Sequence, residues 1–332
     1  TRLFLRTSEF LWQEGHTAHE TESEALEEAK KMLDIYQEIV QDKMAIPVLT
    51  GTKSESEKFA GAEETYCIEA MMGDKKALQA GTSHYLGQNF SKAFDVRFQT
   101  KDNKEDFVYA TSWGVSTRLI GALIMVHGDD KGLRLPPNIA PIQVVIIPVI
   151  NKQYNEDEFQ NYIAELIKEF KSKKIRYYID NREQYTVGYK FNEWEMKGVP
   201  IRLEVGPRDI ANNQAVIARR DTNEKESIDI LQSSNIVNNY LDEIQANLFK
   251  QAKQFMDNNT FDISDYSEFK SKLHEGGFLR CGWDGSIETE NKIKEETKAT
   301  IRCILFEQNI SGMKCIYSGK PAKFEVIFSK AY

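Results

Sequence analysis

Between Glu22 and Lys43 the chain is mostly charged, yet Leu26, Ala29, Leu33, Tyr36, Ile39 and Val40 recur every three or four residues. That spacing predicts an amphipathic helix over 22–43. Thr21-Glu-Ser-Glu24 ahead of it is a capping box, in which the hydroxyl and the carboxylate each reach back to a free backbone N–H. Pro47 and Gly51 punctuate the far end. Arg2-Leu-Phe-Leu-Arg6 reads as one arm of a strand pair, and Phe107 to Trp113 as a strand from its aromatic and β-branched content. Arg118 to Val126 carries Leu119, Ile120, Ala122, Leu123, Ile124 and Met125, which predicts a helix buried nearly all round.

The pattern breaks at Leu135-Pro-Pro137 to Pro141, a candidate domain boundary. Beyond it, Gln143-Val-Val-Ile-Ile-Pro148 is a continuous β-branched run, as expected of a strand covered on both faces. A helix from about Asp157 to Ser172, a short strand Ile175 to Ile179 and a strand Ile201 to Val205 complete a small α/β domain with a partly parallel sheet. A polar helix near Ile228 to Met256 opens the last region, and Phe324-Glu-Val-Ile-Phe328 reads as a buried strand near its end.

Composition narrows the possibilities. The 332 residues suffice for two or three domains. A net charge of -8 does not mark a general polyanion binder, although a local basic patch still can bind phosphate. Lys171, Lys173, Lys174 and Arg176 form such a cluster, most simply a solvated helix end. No apolar run has membrane-spanning length, and Thr1 to Glu14 lacks the order of a secretory signal, so a cytoplasmic protein with no membrane partner is expected. Four cysteines in such a chain make no disulfide framework. There is no Walker-type phosphate loop and no Gly-x-Ser-x-Gly elbow. His16 and His19 lack the acidic neighbours of a metal site, and no initiator Met is present, so the chain reads as the remainder of a longer protein.

Several segments carry a family resemblance. Phe4-Leu-Arg-Thr-Ser-Glu-Phe-Leu-Trp-Gln-Glu-Gly-His16 resembles the second half of motif 2 of class II prolyl-tRNA synthetases. Ala80-Gly-Thr-Ser-His-Tyr-Leu-Gly-Gln-Asn-Phe90 resembles the stretch between motifs 2 and 3, and Ser112-Trp-Gly-Val-Ser-Thr-Arg118 with His127-Gly-Asp129 resembles motif 3. Gly188 to Pro200 is similar to the family's anticodon-binding domain, and Ala331-Tyr332 to its ending. The likeness runs in order along the whole chain and is closest to the archaeal and eukaryotic type with a C-terminal extension. It implies a mixed α+β and α/β protein. Residues 1–138 would be a partial class II catalytic domain on an antiparallel sheet, 139–240 an α/β anticodon-binding domain, and 241–332 a small α/β C-terminal domain.

The resemblance also implies an activity: proline, ATP with Mg2+ and tRNA(Pro) are the substrates of a proline–tRNA ligase, a homodimer in the family, with no DNA partner. Adenylate formation is mainly alignment plus stabilisation of phosphate charge, work suited to the planar guanidinium fork. Arg6 and Arg118 are the implied catalytic arginines on the ATP phosphates. Phe10 would stack on adenine, with Gln79 and Thr82 also binding nucleotide. Proline needs aromatic walls and a few polar groups; Trp12, Glu14, His84 and Trp113 supply both, Glu14 facing the ammonium. His16 would shape the rim. For the anticodon, Arg182, Lys190, Glu193 and Arg202 are candidates, beside Phe191 and Trp194 as aromatic platforms.

Where the extended type holds a zinc ion, Cys281, Cys303 and Cys315 stand in matching contexts, but Tyr317 replaces a further cysteine, and Asp284 and His274 lack suitable spacing. No metal is expected, the three thiols being remnants of a degenerate site. Only 112 positions separate Arg6 from Arg118, too few for an inserted editing domain. A second reading is a non-catalytic, synthetase-like protein or fragment that binds tRNA or a partner. The threonyl enzyme is a weaker alternative, since it would want a zinc-binding Cys/His set.

Overall fold

The structure, a computed structural model, describes residues 2–150 and 154–332. Its elements in chain order are β1 (Trp12–His19), α1 (Glu22–Glu38), β2 (Val48–Thr52), β3 (Glu64–Met71), β4 (Ala77–Gly87), α2 (Asn89–Phe94), β5 (Arg97–Gln99), β6 (Glu105–Phe107), β7 (Tyr109–Ser116) and α3 (Arg118–His127). These are followed by β8 (Val144–Pro148), α4 (Glu156–Ser172), β9 (Tyr177–Ile179), α5 (Val187–Met196), β10 (Ile201–Val205), α6 (Pro207–Ala211), β11 (Gln214–Arg219), β12 (Lys225–Asp229), α7 (Ser233–Asn258), β13 (Thr260–Asp262), α8 (Tyr266–Glu275), β14 (Phe278–Trp283), α9 (Ile287–Thr297), β15 (Thr300–Leu305) and β16 (Phe324–Ser329).

Two compact units result, one of the chain up to Asp42 with Ile46–Val126 and Ala252–Tyr332, the other of Lys43–Ala45 with His127–Gln251. The first is organised on a nine-stranded sheet in the order β1-β7-β4-β3-β2-β15-β16-β14-β13. Every pairing in it is antiparallel except β13 with β14. Strands from the two ends of the sequence therefore share one sheet, joined where Ile304 of β15 pairs with Thr52 of β2. Helix α1 buries Ala25, Ala29, Leu33 and Tyr36, and both arms of the Thr21–Glu24 capping box form, at 3.2 and 3.3 Å. Past Glu38 it widens to a π-helical turn, Ile39–Lys43.

The second unit is a five-stranded sheet, β12-β11-β10-β8-β9, parallel between β8, β9 and β10. All of Val144–Pro148 is buried, as its β-branched run predicts. Phe159, Ile163, Leu166 and Phe170 of α4, with Val237, Leu241, Ile244 and Leu248 of α7, close one side of that sheet.

Four sequence expectations are corrected. Residues 2–6 form a tight reversal, not a strand arm: Arg2 and Arg6 bond each other's backbone at 2.8 and 3.0 Å, with Phe4 at φ 58. The strand expected from Phe107 begins at Tyr109 and runs to Ser116, because Phe107 pairs with Arg97 in a separate hairpin. Helix α3 is not buried all round; Ile120 and Ile124 are 43% and 39% exposed. The helix expected from Ile228 begins at Ser233, since Ile228 is held in β12 opposite Ala215.

Candidate active site and a second, basic concavity

In β1, β7 and β4 the side chains alternate between the two faces, and the register aligns one set of them. Trp12 lies opposite Ser116, and Glu14 opposite Gly114; across β7, Gly114 pairs with Thr82 and Ser112 with His84. These residues, with Phe59, Gln79, Trp113, Val115 and Arg118, line a cleft of about 290 Å³.

Two glycines make room in this wall. Gly15 faces Trp113, and a Cβ on it would lie 2.3 Å from the indole. Gly81 has the Val115 side chain 3.0 Å from where its Cβ would stand. Both replacements would push cleft residues off their rotamers.

His84 is a buried member of the wall. Its Nδ1 is 3.0 Å from the Thr65 hydroxyl, and its ring lies 4.8 Å from that of Phe59. Burial pulls its pKa down to about 4, so it is neutral near pH 7. The opposite wall is wetter: Trp12 is 66% exposed and the Glu14 carboxylate lies 3.5 Å from His16 Nε2. His19 turns to Thr17 at 2.7 Å, away from His16.

Arg118 opens α3 at the cleft's edge, its Nε donating to the Leu5 carbonyl at 3.0 Å and its guanidinium lying 5.4 Å from the Phe10 ring. Burial lowers its pKa, Arg302 and Arg6 pushing the same way and Glu69 opposing. Arg6 itself is exposed, on the 2–6 reversal. Thus Arg118 lines one edge of the cleft, with Phe10 beside its guanidinium and Arg6 within electrostatic reach of it but neither lining the cleft, while Trp12, Glu14, His84 and Trp113 line its body and Gln79 and Thr82 the floor strand. Ser112 and Ser116, within the segment that resembles motif 3, also line it, as does Phe59, which carried no mark in the sequence.

Next to the floor lies a buried ionic group. Glu69, opposite Gln79 in the β3–β4 register, takes the Lys53 ammonium at 2.6 Å and the Arg302 guanidinium at 3.1 Å. Lys53 also donates to the Arg302 carbonyl at 2.7 Å, which ties β15 to β3.

The second unit has its own concavity, about 260 Å³, lined by Lys131, Phe191, Asn192, Arg202, Arg219, Arg220, Asn223 and Lys225 among others. Arg202 stacks over Phe191 at 4.2 Å and Lys225 approaches the same ring at 5.1 Å. Of the four candidate base contacts, Arg202 lines this concavity and Lys190 is fully buried, donating to the Asp180 carbonyl at 3.0 Å. Arg182 is clamped by Asp180 at 2.8 Å and by Glu193 at 2.5 Å, which also holds Lys197. Lys190 thus serves packing: among the described residues its ammonium meets the Asp180 carbonyl and carboxylate. The Arg219-Arg220 doublet ending β11 is a sequence mark that points to the concavity.

The three cysteines considered for zinc do not gather. Cys281 and Cys315 sit in one apolar cluster, whereas Cys303 lies in another with Cys67, its thiol in the space beside Gly51. Among the described residues no group of three or more His, Cys, Asp or Glu side chains is arranged to hold a metal ion.

Residues 1–127 match the class II tRNA synthetase core domain of the glycine, histidine, proline, serine and threonine enzymes, and 143–240 match the anticodon binding domain. The chain is therefore built as a class II aminoacyl-tRNA synthetase. Residues 266–332 match the prolyl-tRNA synthetase C-terminal domain. The proline–tRNA ligases of Bacteroides fragilis and Flavobacterium psychrophilum are each 53% identical, with all of this chain and 68% of each relative covered. A crystal structure of prolyl-tRNA synthetase from Cryptosporidium parvum with L-proline and AMP superposes with a TM-score of 0.94 at 41% identity, covering 100% of this chain and 71% of that one. The chain belongs to the prolyl-tRNA synthetase family.

Proposed function

We propose that the protein is a proline–tRNA ligase, taking ATP as its Mg2+ complex, and that the β1–β7–β4 cleft is its adenylation site. The observation that carries this is the convergence of Trp12, Glu14, His84, Trp113 and Arg118 on one cleft, in a chain related to ligases of that name. The proline ring lies against His84 on the face shared with Trp12 and Glu14, with its ammonium toward Glu14 and Trp113 supporting that wall from the strand between them. Its carboxylate attacks the α-phosphorus, and pyrophosphate leaves with the bonding electron pair. Arg118 and Arg6 grip phosphate oxygens; Phe10, Gln79 and Thr82 hold the nucleotide. The ribose hydroxyl of tRNA(Pro) then attacks the prolyl carbonyl and AMP departs.

We assign residues 1–138 to catalysis, 139–240 to the anticodon and 241–332 to the C-terminal extension of the archaeal and eukaryotic type. In the anticodon domain the basic concavity around Arg202 and Phe191 supports base recognition better than the buried Lys190 does. The C-terminal domain folds on its apolar strands, with Cys281, Cys303 and Cys315 as packing residues. The active protein is a cytoplasmic homodimer. It carries no editing insertion between Arg6 and Arg118, so alanine, a methylene-scale discrimination of about 1–3 kcal/mol, is poorly rejected.

The test is charging of tRNA(Pro) with labelled proline. Arg118→Ala should lower the rate by about two to three orders of magnitude. Arg202→Ala should raise the KM for tRNA and leave the KM for proline unchanged. Charging that survives Arg118→Ala, or that requires another amino acid, would overturn the reading.

A further inference from the structure

One row of aromatic rings begins in the cleft wall and leaves it. The Phe59 ring, 4.8 Å from His84 inside the cleft, lies 6.3 Å from Phe90 at an interplanar angle of 27°. Phe90 in turn lies 6.4 Å from Phe94 at 11°. Phe90 and Phe94 are four residues apart on α2, so their rings share one helix face. The row is built in place. Gly61, at φ +89, leaves the space that Phe90 occupies, since a Cβ there would stand 2.9 Å from the ring. Asn89 Nδ2 donates to the Gly61 carbonyl at 3.1 Å, and Ser91 Oγ to that of Val108 at 2.7 Å, anchoring α2 at two points.

The row is open to solvent in part: Phe94 at its outer end is 74% exposed and Phe59 48%, while Phe90 between them is partly buried against Gly61 and keeps one side of its ring clear of that contact. Neighbouring charge is of both signs. Arg97 is engaged by Asp95 at 2.7 Å and stacks on Phe107, and Lys58 is engaged by Glu55 at 2.8 Å. The surface therefore offers ring faces more than phosphate-binding cations. Exposed, successive aromatic rings fit the unpaired bases of a single-stranded nucleic acid, because every base has a π-face.

We propose that Phe59, Phe90 and Phe94 form a stacking platform for the unpaired 3′ end of the tRNA. The terminal nucleotide passes Phe59 into the cleft, and the bases before it lie on Phe90 and Phe94. This rests on the activity proposed above, which requires that end to reach the adenylate. Continuity of the row with the cleft selects this occupant over a protein partner.

The test uses the intact protein with Phe94→Ala, Phe94→Leu and Phe94→Trp; the exposure of the side chain leaves the fold intact in all three. Binding of a short RNA hairpin with an unpaired CCA end, followed by fluorescence anisotropy, should weaken about ten-fold in F94A and F94L and hold in F94W. A hairpin without the unpaired end should not distinguish the variants. Single-turnover prolyl transfer should fall in parallel with binding, while proline-dependent ATP–pyrophosphate exchange stays at the unsubstituted level. Equal hairpin binding by F94A, wild-type behaviour of F94L, or an equal loss of exchange would overturn the platform. The activity itself can fail separately: lack of proline-dependent exchange in the unsubstituted protein strikes at the ligase reading, while the hairpin comparison still decides the platform.

Discussion

At Gly15 a single hydrogen atom decides the shape of the proposed proline pocket, because the Trp113 indole fills the space a Cβ would need. Gly15→Ala should raise the KM for proline and cost about 1–3 kcal/mol of stability, read from a urea denaturation midpoint. An unchanged KM would show that the indole position does not matter. Two buried histidines give the protein a pH signature. Burial holds His84 at about 4 and, with help from Arg134, His127 at about 4. Unfolded histidine titrates near ~6.5, so the unfolded chain binds protons first. The contribution of both is complete above roughly pH 6.5 and is lost as pH falls toward about 4. The urea midpoint should therefore drop from pH 7.5 to pH 5, and less steeply in His127→Gln; a flat profile would contradict the assignment. At this scale the sequence was readable where a motif fixed both residue and spacing, as for Trp12, Glu14 and Arg118, which share one cleft. It was not readable for Phe59, which reaches the cleft from the loop before β3, nor for Lys190, whose buried ammonium is met by Asp180 in the loop after β9.

Elements were legible where a local pattern dictates them. The capping box fixes the start of α1, and the β-branched run Val144–Pro148 fixes a strand buried on both faces. Tertiary partners decided the rest. Ile228 extends β12 because Ala215 stands opposite, and residues 2–6 turn back because Phe4 takes a positive φ. The junction of β15 with β2 could not be read locally, since Ile304 and Thr52 are far apart in sequence. At that junction the ion group of Glu69, Lys53 and Arg302 is buried. Removing one member leaves charge without a partner, so Glu69→Gln should cost about 3–5 kcal/mol by chemical denaturation. In Lys53→Met/Glu69→Leu the loss should be smaller than in Glu69→Gln. A Glu69→Gln protein as stable as the parent would show that the group does not hold the strands together.

On the scale of the whole molecule, the sheet that carries the cleft continues into the C-terminal strands, and the chain's end is fastened to it. The Lys330 carbonyl accepts from Ala77 N–H at 2.9 Å, and the Tyr332 hydroxyl donates to Asp74. Arg2 and Lys76 lie over the Tyr332 ring at 5.2 and 5.1 Å. Ala77 begins β4, the strand that supplies Gln79, Thr82 and His84 to the cleft. Deleting Lys330 to Tyr332 should therefore reduce adenylate formation while tRNA binding persists; full adenylate formation in the truncated protein would refute the link. The central claim is that this cleft activates proline, and proline-dependent ATP–pyrophosphate exchange by the intact protein tests it most directly. The account predicts exchange that requires proline and falls by two to three orders of magnitude, roughly, in Arg118→Ala. Absence of exchange with proline, or exchange driven by a different amino acid, would contradict it.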